Sequence, residues 1–476
     1  MFKKKNKFYI TTTLPYVNAD PHIGFALEII QADVIARYYR SNGCDVFFNT
    51  GTDEHGLKIF RGAQQENLDP QKYCDIYAEK NKKLKEALNL SYDNFVRTTD
   101  KHHIKSVQEF WTRCYKNGDI YKKNYKIKYC VGCELEKTES ELVNGICPIH
   151  PNKEIEIIEE ENYFFKYSKY KKSLLDFYKK NKNFVVPESR FNEIKEFTRR
   201  GLDDFSISRL KEKMPWGVPV PNDDKHVMYV WFDALVNYIS ALGWPENQKK
   251  FKEFWPGLQA AGKDNLRQQS SMWQAMLLSV GLPNSKQIFI HGFITANGQK
   301  MSKSLGNVID PFDLVQKYGA DAVRYYLLRE IPSTEDGDFT YEKFEQRYNS
   351  DLAGGIGNLV SRVIGIASKL NIKNTKITKI TEKNINEVKN NYTKALESFK
   401  FNEALASVWE LISYCDKYIN DQKLWETKKP QVLCDLFYAI NEIAVLLLPF
   451  LPETSEKIKK AVKEKKSAAL FPRIVN

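Results

Sequence analysis

The chain has 476 residues, 42% of them apolar, and a formal net charge of +12. This length predicts two or three domains rather than one, and the apolar fraction is sufficient for sizeable cores. The basic excess is modest and suits a polyanionic partner, although a genome composition rich in Lys, Asn, Ile and Tyr codons is an alternative cause.

Secretion and membrane insertion are not favoured. The basic start MFKKKNK is followed by a polar segment rather than an apolar one, which is not typical of a signal peptide. The longest apolar run, at residues 443–451, is too short to span a bilayer. Of the eight cysteines, five are isolated and three are clustered, which favours a reducing compartment and metal binding over disulfides. We therefore expect a cytoplasmic protein with no membrane partner.

The first segment with a clear pattern covers residues 8–40. Residues 8–13 are β-branched and aromatic and predict a strand, and residues 14–21 contain two prolines and predict a loop. From His22 onward, apolar residues recur at spacings of mostly three and four, which predicts a helix. The N-terminus of a helix suits phosphate, and Gly24 has no side chain to block a ligand there. Taken alone, a His at a helix start is more often an ordinary cap or surface residue.

A second predicted strand, at residues 45–50, leads into GTDEHG at 51–56. Polar residues just past the carboxyl end of a strand are where doubly wound sheets place ligands. Asp53 is therefore a candidate for holding an ammonium group. The alternative is an ordinary aspartate in a turn.

Residues 119–215 interrupt this alternation and carry a candidate metal site. Cys130-x2-Cys133 is followed, after thirteen residues, by Cys147-x2-His150. Three thiolates and one imidazole in two close pairs suit a closed tetrahedral Zn2+ site. The spacing predicts one structural zinc ion that stabilises an insertion lacking a core of its own. Buried cysteines without metal are the alternative.

The alternation resumes near residue 226. Residues 228–232 predict a strand, with Asp233, Ala234 and Tyr238 on a following helix, and residues 287–291 predict another strand. Trp231, Tyr238 and Trp273 are candidates for an aromatic pocket around an apolar or thioether side chain. Each of them alone is equally typical of a hydrophobic core.

Residues 300–304 spell KMSKS between Gly298 and Gly306. Lysines and hydroxyls on such a loop suit a polyphosphate, since they neutralise charge and donate hydrogen bonds. A solvated basic loop is the alternative for this string alone. Together and in this order, the His22-Ile23-Gly24 and KMSKS strings resemble the signature pair of class I aminoacyl-tRNA synthetases.

From about residue 346 the pattern is helical, which predicts an all-α bundle. Residues 372–386 are polar and predict a connection between helices. Asn358 and Arg362 lie four residues apart and share one helix face, and Trp425 follows a helix that should end near residue 421. Arginine and tryptophan are typical of contacts with unpaired bases, but also of ordinary helix surfaces.

With these pieces in order, the chain resembles the methionyl-tRNA synthetases over nearly its whole length. The most specific strings are Leu14-Pro15-Tyr16, GTDEHG, YVWFDA at 229–234, KMSKS and the Cys3His cluster. The resemblance implies an α/β fold: a split Rossmann-like, doubly wound parallel sheet with an inserted zinc-binding connective region and a C-terminal all-α helical bundle. The implied divisions are the catalytic halves 1–118 and 216–290, the connective insertion 119–215, the KMSKS loop and linker 291–345, and the anticodon-binding domain 346–476.

The resemblance also implies a reaction and its residues. Methionine and ATP form methionyl-adenylate and pyrophosphate, and the methionyl group then passes to tRNA(Met), whose anticodon is CAU. The implied catalytic residues are His22, Lys300 and Lys303. The implied ATP-binding residues are Gly24, Glu28, Gly262, Asp264, Lys300, Met301, Ser302, Lys303 and Ser304. The implied methionine-binding residues are Leu14, Tyr16, Asp53, Trp231, Ala234, Tyr238 and Trp273, and those for the anticodon are Asn358, Arg362 and Trp425.

Further expectations concern cofactors and assembly. Zinc at the Cys3His cluster and Mg2+ with ATP are the implied metals. No further tRNA-binding domain follows the helical region, and in this family such a domain commonly mediates dimerisation, so a monomer is expected. Catalysis is expected to rest on positioning and charge stabilisation, because the methionine carboxylate is itself the nucleophile.

Three residues depart from the family pattern. In the family the string His22-Ile23-Gly24 continues with a second His, as His-Ile-Gly-His; Phe25 replaces that His here, so one phosphate contact is lost or comes from elsewhere. Gln269 stands where relatives often have a His, and Asn265 where they often have an aliphatic residue. These departures leave the detailed shape of the pocket open.

The sequence has three alternative interpretations. The leucine, isoleucine and valine enzymes share both signatures but carry a large editing insertion, for which residues 119–215 are too short. A non-catalytic RNA-binding protein is supported only by the three departures. A small nucleotidyltransferase fits neither the length nor the zinc and helical regions.

Overall fold

The computed structural model describes residues 6–137, 139–301, 306–367, 376–466 and 469–474. Ser302, Lys303 and Ser304 of the KMSKS loop lie outside the described residues. The chain forms two compact units. The first contains residues 1–21, 43–83 and 92–290, and the second contains residues 22–42, 84–91 and 291–476.

Strands and helices are numbered here in chain order. The strands are β1 (Lys7–Thr11), β2 (Asp45–Thr52), β3 (Asn94–Arg97), β4 (Ile120–Cys130), β5 (Leu135–Lys137), β6 (Ile155–Phe165), β7 (Val185–Val186), β8 (Phe205–Ser206), β9 (Ser208–Leu210), β10 (Pro219–Val220), β11 (Asp223–Met228), β12 (Leu258–Gly262), β13 (Gln287–His291), β14 (Ile294–Ala296), β15 (Gln299–Lys300) and β16 (Gly337–Phe339). The helices are α1 (Ile23–Ser41), α2 (Leu57–Gln65), α3 (Pro70–Ala87), α4 (Lys101–Lys116), α5 (Lys171–Lys180), α6 (Glu188–Arg200), α7 (Val230–Leu235), α8 (Asn237–Ser240), α9 (Gln248–Phe254), α10 (Trp273–Ser279), α11 (Pro311–Tyr318), α12 (Ala320–Arg329), α13 (Tyr341–Arg347), α14 (Asn358–Ala367), α15 (Lys379–Glu397), α16 (Phe401–Asp421), α17 (Leu424–Thr427), α18 (Pro430–Leu447) and α19 (Pro452–Glu464).

The main sheet of the first unit has the strand order β3-β2-β1-β12-β13-β7. Strand β1 is parallel to both β2 and β12, although more than 200 residues separate it from β12 in sequence. The connections from β1 and from β12 run to opposite sides of this central pair, so the pair is a topological switch point. In open parallel sheets such a point places ligands at the carboxyl ends of its strands. This arrangement confirms the predicted split, doubly wound sheet.

The connective insertion has an antiparallel sheet of its own, in the order β5-β4-β6-β8. Strands β4 and β6 pair continuously from Ile120 opposite Phe165 to Cys130 opposite Ile155. This long ladder ends at Cys130, the first candidate metal ligand. A second small sheet, in the order β10-β11-β9, precedes helix α7.

Two local predictions need correction. The predicted strand at residues 228–232 is wrong, because β11 ends at Met228 and α7 begins at Val230. The buried, β-branched and aromatic composition of this run is shared by strands and buried helices, so periodicity did not separate them. The predicted connection at 372–386 is also too long, since Thr378 caps a helix that begins at Lys379.

The second unit combines helix α1, a small sheet and a helical bundle. The sheet has the order β15-β14-β16, and β15 presents Lys300 beside Thr295. Helices α14 to α19 follow, as the helical pattern predicts. Among the described residues, α18 is long and apolar enough by length and composition to cross a membrane, but 56% of it is buried, which is typical of a core helix.

A buried arginine joins several segments of the second unit. Arg324 of α12 lies 2.8 Å from a carboxylate oxygen of Asp33 in α1, and neither side chain is exposed. The same guanidinium donates hydrogen bonds to the carbonyl oxygens of Leu88, Pro449 and Phe450. The side chain on α12 therefore satisfies acceptors from α1, the segment at 84–91 and the turn after α18.

Replacing Arg324 with Met should lower the free energy of unfolding by about 3–5 kcal/mol, because it leaves buried acceptors without their donor. Equilibrium urea denaturation measures this loss. Arg347→Met is the matched control, since Arg347 pairs with Glu330 at a half-exposed site and should lose about 1 kcal/mol or less. Equal losses for the two variants would contradict the role given to Arg324.

Candidate active site

The loops after β1 and β2 continue the sheet toward its ligand-binding edge. Tyr16 and Asp53 form a parallel bridge beyond the strands. The backbone N–H of Asp53 donates to the carbonyl of Pro15 at 3.0 Å, and that of Val17 donates to the carbonyl of Asp53 at 3.3 Å. Leu14 is half-buried on the same loop. The predicted methionine-binding residues of the two loops are thus held side by side by backbone hydrogen bonds.

Asp53 is buried, yet one of its carboxylate oxygens, Oδ1, has no hydrogen-bond partner among the described residues. Burial raises the pKa of Asp53 well above its usual range, and the nearby carboxylate of Asp233 raises that pKa further. A buried carboxylate without a partner is costly. A cationic ligand would supply the missing partner and lower this cost.

An aromatic cluster accompanies Asp53 in the first unit. Tyr238 and Trp273 are fully buried, and their ring centroids lie 5.9 Å apart in an edge-to-face arrangement. Trp231 is half-buried in α7, and Ala234, one turn further on, is buried. Within the described residues, the indole N–H groups of both tryptophans and the hydroxyl of Tyr16 lack hydrogen-bond partners.

Gln269 and Asn265, the two polar residues that depart from the family pattern, make specific hydrogen bonds. The side-chain amide of Gln269 donates to the hydroxyl of Tyr238 at 2.5 Å, and its carbonyl oxygen accepts from Gln259 at 3.2 Å. Asn265 donates to the carboxylate of Asp264 at 3.3 Å. Gln269 therefore fixes the orientation of a predicted pocket residue, whereas Asn265 contacts a predicted ATP-binding residue.

His22 caps helix α1 in the second unit. Its Nδ1 accepts a hydrogen bond from the backbone N–H of Gly24 at 3.1 Å, so the neutral imidazole carries its proton on Nε2. A Cβ at Gly24 would lie 2.9 Å from the ring of His22. Glycine is therefore needed at position 24 to seat this ring. Phe25, the third departure, is half-buried in the first turn.

The other predicted ATP-binding residues divide between the units. Gly262 ends β12 in the first unit, and Asp264 follows in a 3-10 turn. In the second unit, the carboxylate of Glu28 is 2.8 Å from Nε2 of His291, and both groups are buried. Lys300 and Met301 lie at the end of β15, between Gly298 and Gly306, whose φ angles of 72° and 63° suit only glycine without strain.

The Cys3His cluster is assembled as predicted. The ligand atoms of Cys130, Cys133, Cys147 and His150 all lie within 4.8 Å of one another. The Cys133 sulfur is 3.5 Å from the Cys147 sulfur and 3.2 Å from Nδ1 of His150. Tetrahedral zinc holds such ligands about 3.5–3.8 Å apart, so the donor set fits zinc. A Cβ at Gly132 would lie 2.5 Å from the His150 ring, so glycine makes room for this ligand.

Glu134 is a buried residue that sequence reasoning missed. It has a φ of 52°, and its carboxylate accepts hydrogen bonds from the Tyr129 hydroxyl and, at 2.8 Å, from the backbone N–H of Lys58. Its carbonyl oxygen accepts from the hydroxyl of Tyr229. Glu134 thus joins the zinc knuckle to the segments that follow GTDEHG and precede Trp231. A glutamate in a turn is usually exposed, so the sequence offered no signal for this contact.

Arg209 was also missed. It is buried on β9, where its guanidinium lies 4.6 Å from the ring centroid of Tyr229 and 5.2 Å from that of Tyr129. One of its nitrogens donates to the Ser206 hydroxyl at 2.7 Å. Its position within the string SISRL was the one feature that set Arg209 apart from the arginines that the sequence places at the surface.

The predicted anticodon-binding residues lie on neighbouring helices of the second unit. Asn358 and Arg362 are one turn apart on α14, as predicted. Arg362 donates to Asp416 at 3.2 Å and to Asn420 at 2.9 Å, both on α16. Trp425 is 49% exposed on the short helix α17, which follows the end of α16. An exposed tryptophan is suited to stacking on a base, and an arginine side chain to contacts with one.

Family comparisons agree with this architecture. The profile described as "tRNA synthetases class I (M)" matches residues 8–156 and 136–364, and the profile described as "Anticodon-binding domain of tRNA ligase" matches residues 379–474. The split sheet with its Cys3His insertion and the helical bundle after it therefore define a class I tRNA synthetase with an anticodon-binding domain.

Comparison with individual relatives identifies the family within this class. The methionine–tRNA ligase of Thermotoga maritima is 45% identical over 96% of this chain and 75% of its own length. That of Thermosynechococcus vestitus is 43% identical over 95% of this chain and 89% of its own. The structure of Mycobacterium tuberculosis methionyl-tRNA synthetase in complex with methionyl-adenylate is 35% identical, with a TM-score of 0.92 over 98% of this chain and 100% of that chain. The chain belongs to the methionine–tRNA ligase family.

Substituting Cys147 with Ser should abolish stoichiometric zinc binding, because a closed site that loses one of its four ligands binds the metal much more weakly. Metal analysis of the purified chain should give one zinc per wild-type molecule and far less for the variant. Cys44→Ser is the matched control, since Cys44 is outside the cluster. Full zinc content in Cys147→Ser would contradict the ligand assignment.

Proposed function

We propose that this chain carries out the reaction of its family through the residues described above. As a methionine–tRNA ligase, it uses ATP to activate methionine as methionyl-adenylate, releases pyrophosphate, and transfers the methionyl group to tRNA(Met). The observation that carries the proposal is the buried carboxylate of Asp53, one oxygen of which has no partner among the described residues, in the same unit as a buried aromatic cluster. A free amino acid with an apolar side chain supplies the two groups that this site lacks.

Asp53 binds the ammonium group of methionine. The carboxylate is buried, and an ammonium ion would give it both a hydrogen-bond donor and an opposite charge. Tyr16, which bridges to Asp53, and Leu14 lie beside the substrate. Binding requires the ionised carboxylate, so the raised pKa of Asp53 makes methionine binding favour higher pH.

The aromatic cluster binds the methionine side chain. Trp231, Ala234, Tyr238 and Trp273 offer an apolar surface, and sulfur contacts aromatic rings favourably. Gln269 holds the Tyr238 hydroxyl, so that hydroxyl is oriented before the substrate arrives. A pocket with fixed aromatic walls discriminates by shape, which a flexible apolar cavity does poorly.

ATP is bound by elements of both signature strings. We assign ATP binding to three groups of residues. They are His22, Gly24 and Glu28 in or next to α1, Gly262 and Asp264 at and after the end of β12, and the lysines and serines of KMSKS. The catalytic groups are His22, Lys300 and Lys303, which stabilise charge on the departing pyrophosphate, with Mg2+ bound to ATP. The methionine carboxylate attacks the α-phosphate, so no protein side chain acts as nucleophile.

The helical bundle recognises the CAU anticodon through Asn358, Arg362 and Trp425. Residues 346–476 form this domain in the proposed division, residues 119–215 form the zinc-bearing insertion, and 291–345 form the linker with KMSKS. The proposed setting is the cytoplasm, where the chain acts as a monomer without a membrane partner. The basic excess of the chain suits its polyanionic tRNA partner.

The reaction and the substrate are tested together by amino-acid-dependent ATP–pyrophosphate exchange. Methionine, leucine, isoleucine, valine and homocysteine are compared on the zinc-loaded chain, and methionine should drive most of the exchange. Exchange driven by a branched-chain amino acid would overturn the substrate. No exchange with any of them would favour a non-catalytic RNA-binding protein.

Asp53→Asn should raise the KM for methionine by about tenfold or more, because a neutral amide loses the charge-assisted contact with the ammonium group. The methionine-induced rise in melting temperature should also grow in the wild type as the pH rises above the usual titration range of an aspartate, since burial raises the pKa of Asp53 and its ionised form is required for binding. In the variant this dependence on pH should disappear. A variant with unchanged methionine KM would exclude Asp53 from the site.

A further inference from the structure

A second buried carboxylate lies near Asp53, and each of its oxygens has its own imidazole. Oδ2 of Asp233 is 2.6 Å from Nδ1 of His55, and Oδ1 is 2.8 Å from Nε2 of His103. Nδ1 of His103 is in turn 2.9 Å from the hydroxyl of Ser240. All four side chains are buried. We call these four residues the His–Asp–His array.

The array joins segments that carry the proposed methionine site. His55 is two residues after Asp53 and lies in GTDEHG, whereas Asp233 lies between Trp231 and Ala234 on α7. Ser240 lies on α8, two residues after Tyr238, and His103 comes from α4. No proposed contact with substrate uses any member of the array, yet its members are sequence neighbours of most of the pocket.

Besides burial, three carboxylates act to raise the pKa of Asp53: those of Asp233, Glu134 and Glu54. Tyr16, whose backbone bridges to that of Asp53, is the neighbouring hydroxyl group. Glu54 accepts two hydrogen bonds from Arg97, at 2.7 and 2.8 Å. Glu134 is held by the Tyr129 hydroxyl and the backbone N–H of Lys58.

The remaining acidic neighbour, Asp233, is held by His55 and His103. Burial acts to raise the pKa of Asp233, but His55 and His103 outweigh it and hold that pKa below its usual range. Each carboxylate around Asp53 therefore has a donor of its own. Asp53 keeps an oxygen without a partner among the described residues. Of the carboxylate oxygens of Asp53, Asp233, Glu54 and Glu134, this buried one is therefore left to accept from a cationic ligand.

We propose that His55 and His103 are positioning residues for methionine: by binding both oxygens of Asp233, they keep this carboxylate from competing with Asp53 for the substrate ammonium group. This inference rests on the proposed function of the pocket. Losing one histidine frees an oxygen of Asp233, which then competes for the ammonium group. It also leaves a like charge near Asp53 uncompensated, which opposes ionisation of Asp53.

The test compares His103→Leu with His103→Gln in ATP–pyrophosphate exchange. Leucine removes the contact with Asp233, while the side-chain amide of glutamine supplies an N–H donor near the position of Nε2. His103→Leu should raise the methionine KM about tenfold or more, with the ATP KM within about twofold of wild type. His103→Gln should recover most of this loss.

The pH profile separates positioning from simple destabilisation. The acid limb of kcat/KM for methionine should move to higher pH in His103→Leu, because the uncompensated charge of Asp233 raises the pKa of Asp53. Asp435→Asn, at a buried carboxylate of the helical bundle, is the control for a general loss of stability and should leave the limb in place. His55→Leu with His55→Asn is the second pair, in which asparagine supplies a donor near the position of Nδ1.

The outcomes are distinct. An unchanged methionine KM and acid limb in the folded leucine variants would overturn the inference, as would equal increases in the methionine and ATP KM values. If both leucine variants fail to fold, wild-type values in His103→Gln and His55→Asn would support the inference, and losses in both would overturn it. Absence of methionine-dependent exchange in the wild type would instead reject the proposed function.

Discussion

A buried carboxylate with an unpartnered oxygen is the constraint on which the proposed site depends. Asp53 lies at the carboxyl end of β2, where backbone hydrogen bonds to the loop after β1 hold it in place. Other carboxylates near it have their own donors: Arg97 for Glu54, and two histidines for Asp233. A buried charge without a partner is costly. Because the neighbouring carboxylates are already hydrogen-bonded, a cation is stabilised most at the unpartnered oxygen of Asp53.

The fold places Asp53 just after the carboxyl end of β2, the edge at which open parallel sheets bind ligands. Strands β1 and β12 are adjacent although distant in sequence, because the zinc-bearing insertion lies between the two halves of the sheet. The insertion is also tied to the site through Glu134, which receives hydrogen bonds from the segments on either side of the pocket. Zinc at the Cys3His cluster would hold in place the turn that carries Glu134.

Sequence reasoning was most successful where the chemistry is local. The Cys3His cluster was predicted from spacing alone, and its four ligand atoms are together. The strand at 287–291 and the end of the helix at residue 421 were also predicted correctly. The prediction was wrong at residues 228–232, where a mostly buried run satisfies both strand and helix patterns. The contacts of Glu134 with Lys58 and Tyr229, and the partners of Asp233, were missed because they join residues far apart in the chain.

The sequence by itself determined the class of fold, the metal ligands and the family, because turn spacing, helical periodicity and short polyphosphate-binding strings are written in neighbouring residues. Tertiary structure alone decided which polar groups are left without partners. Whether Asp53 keeps an open oxygen depends on where Arg97, His55, His103 and Lys58 come to lie. Hydrogen bonds between distant segments leave no periodic trace in the sequence, so the ionisation and orientation of the pocket are properties of the folded chain.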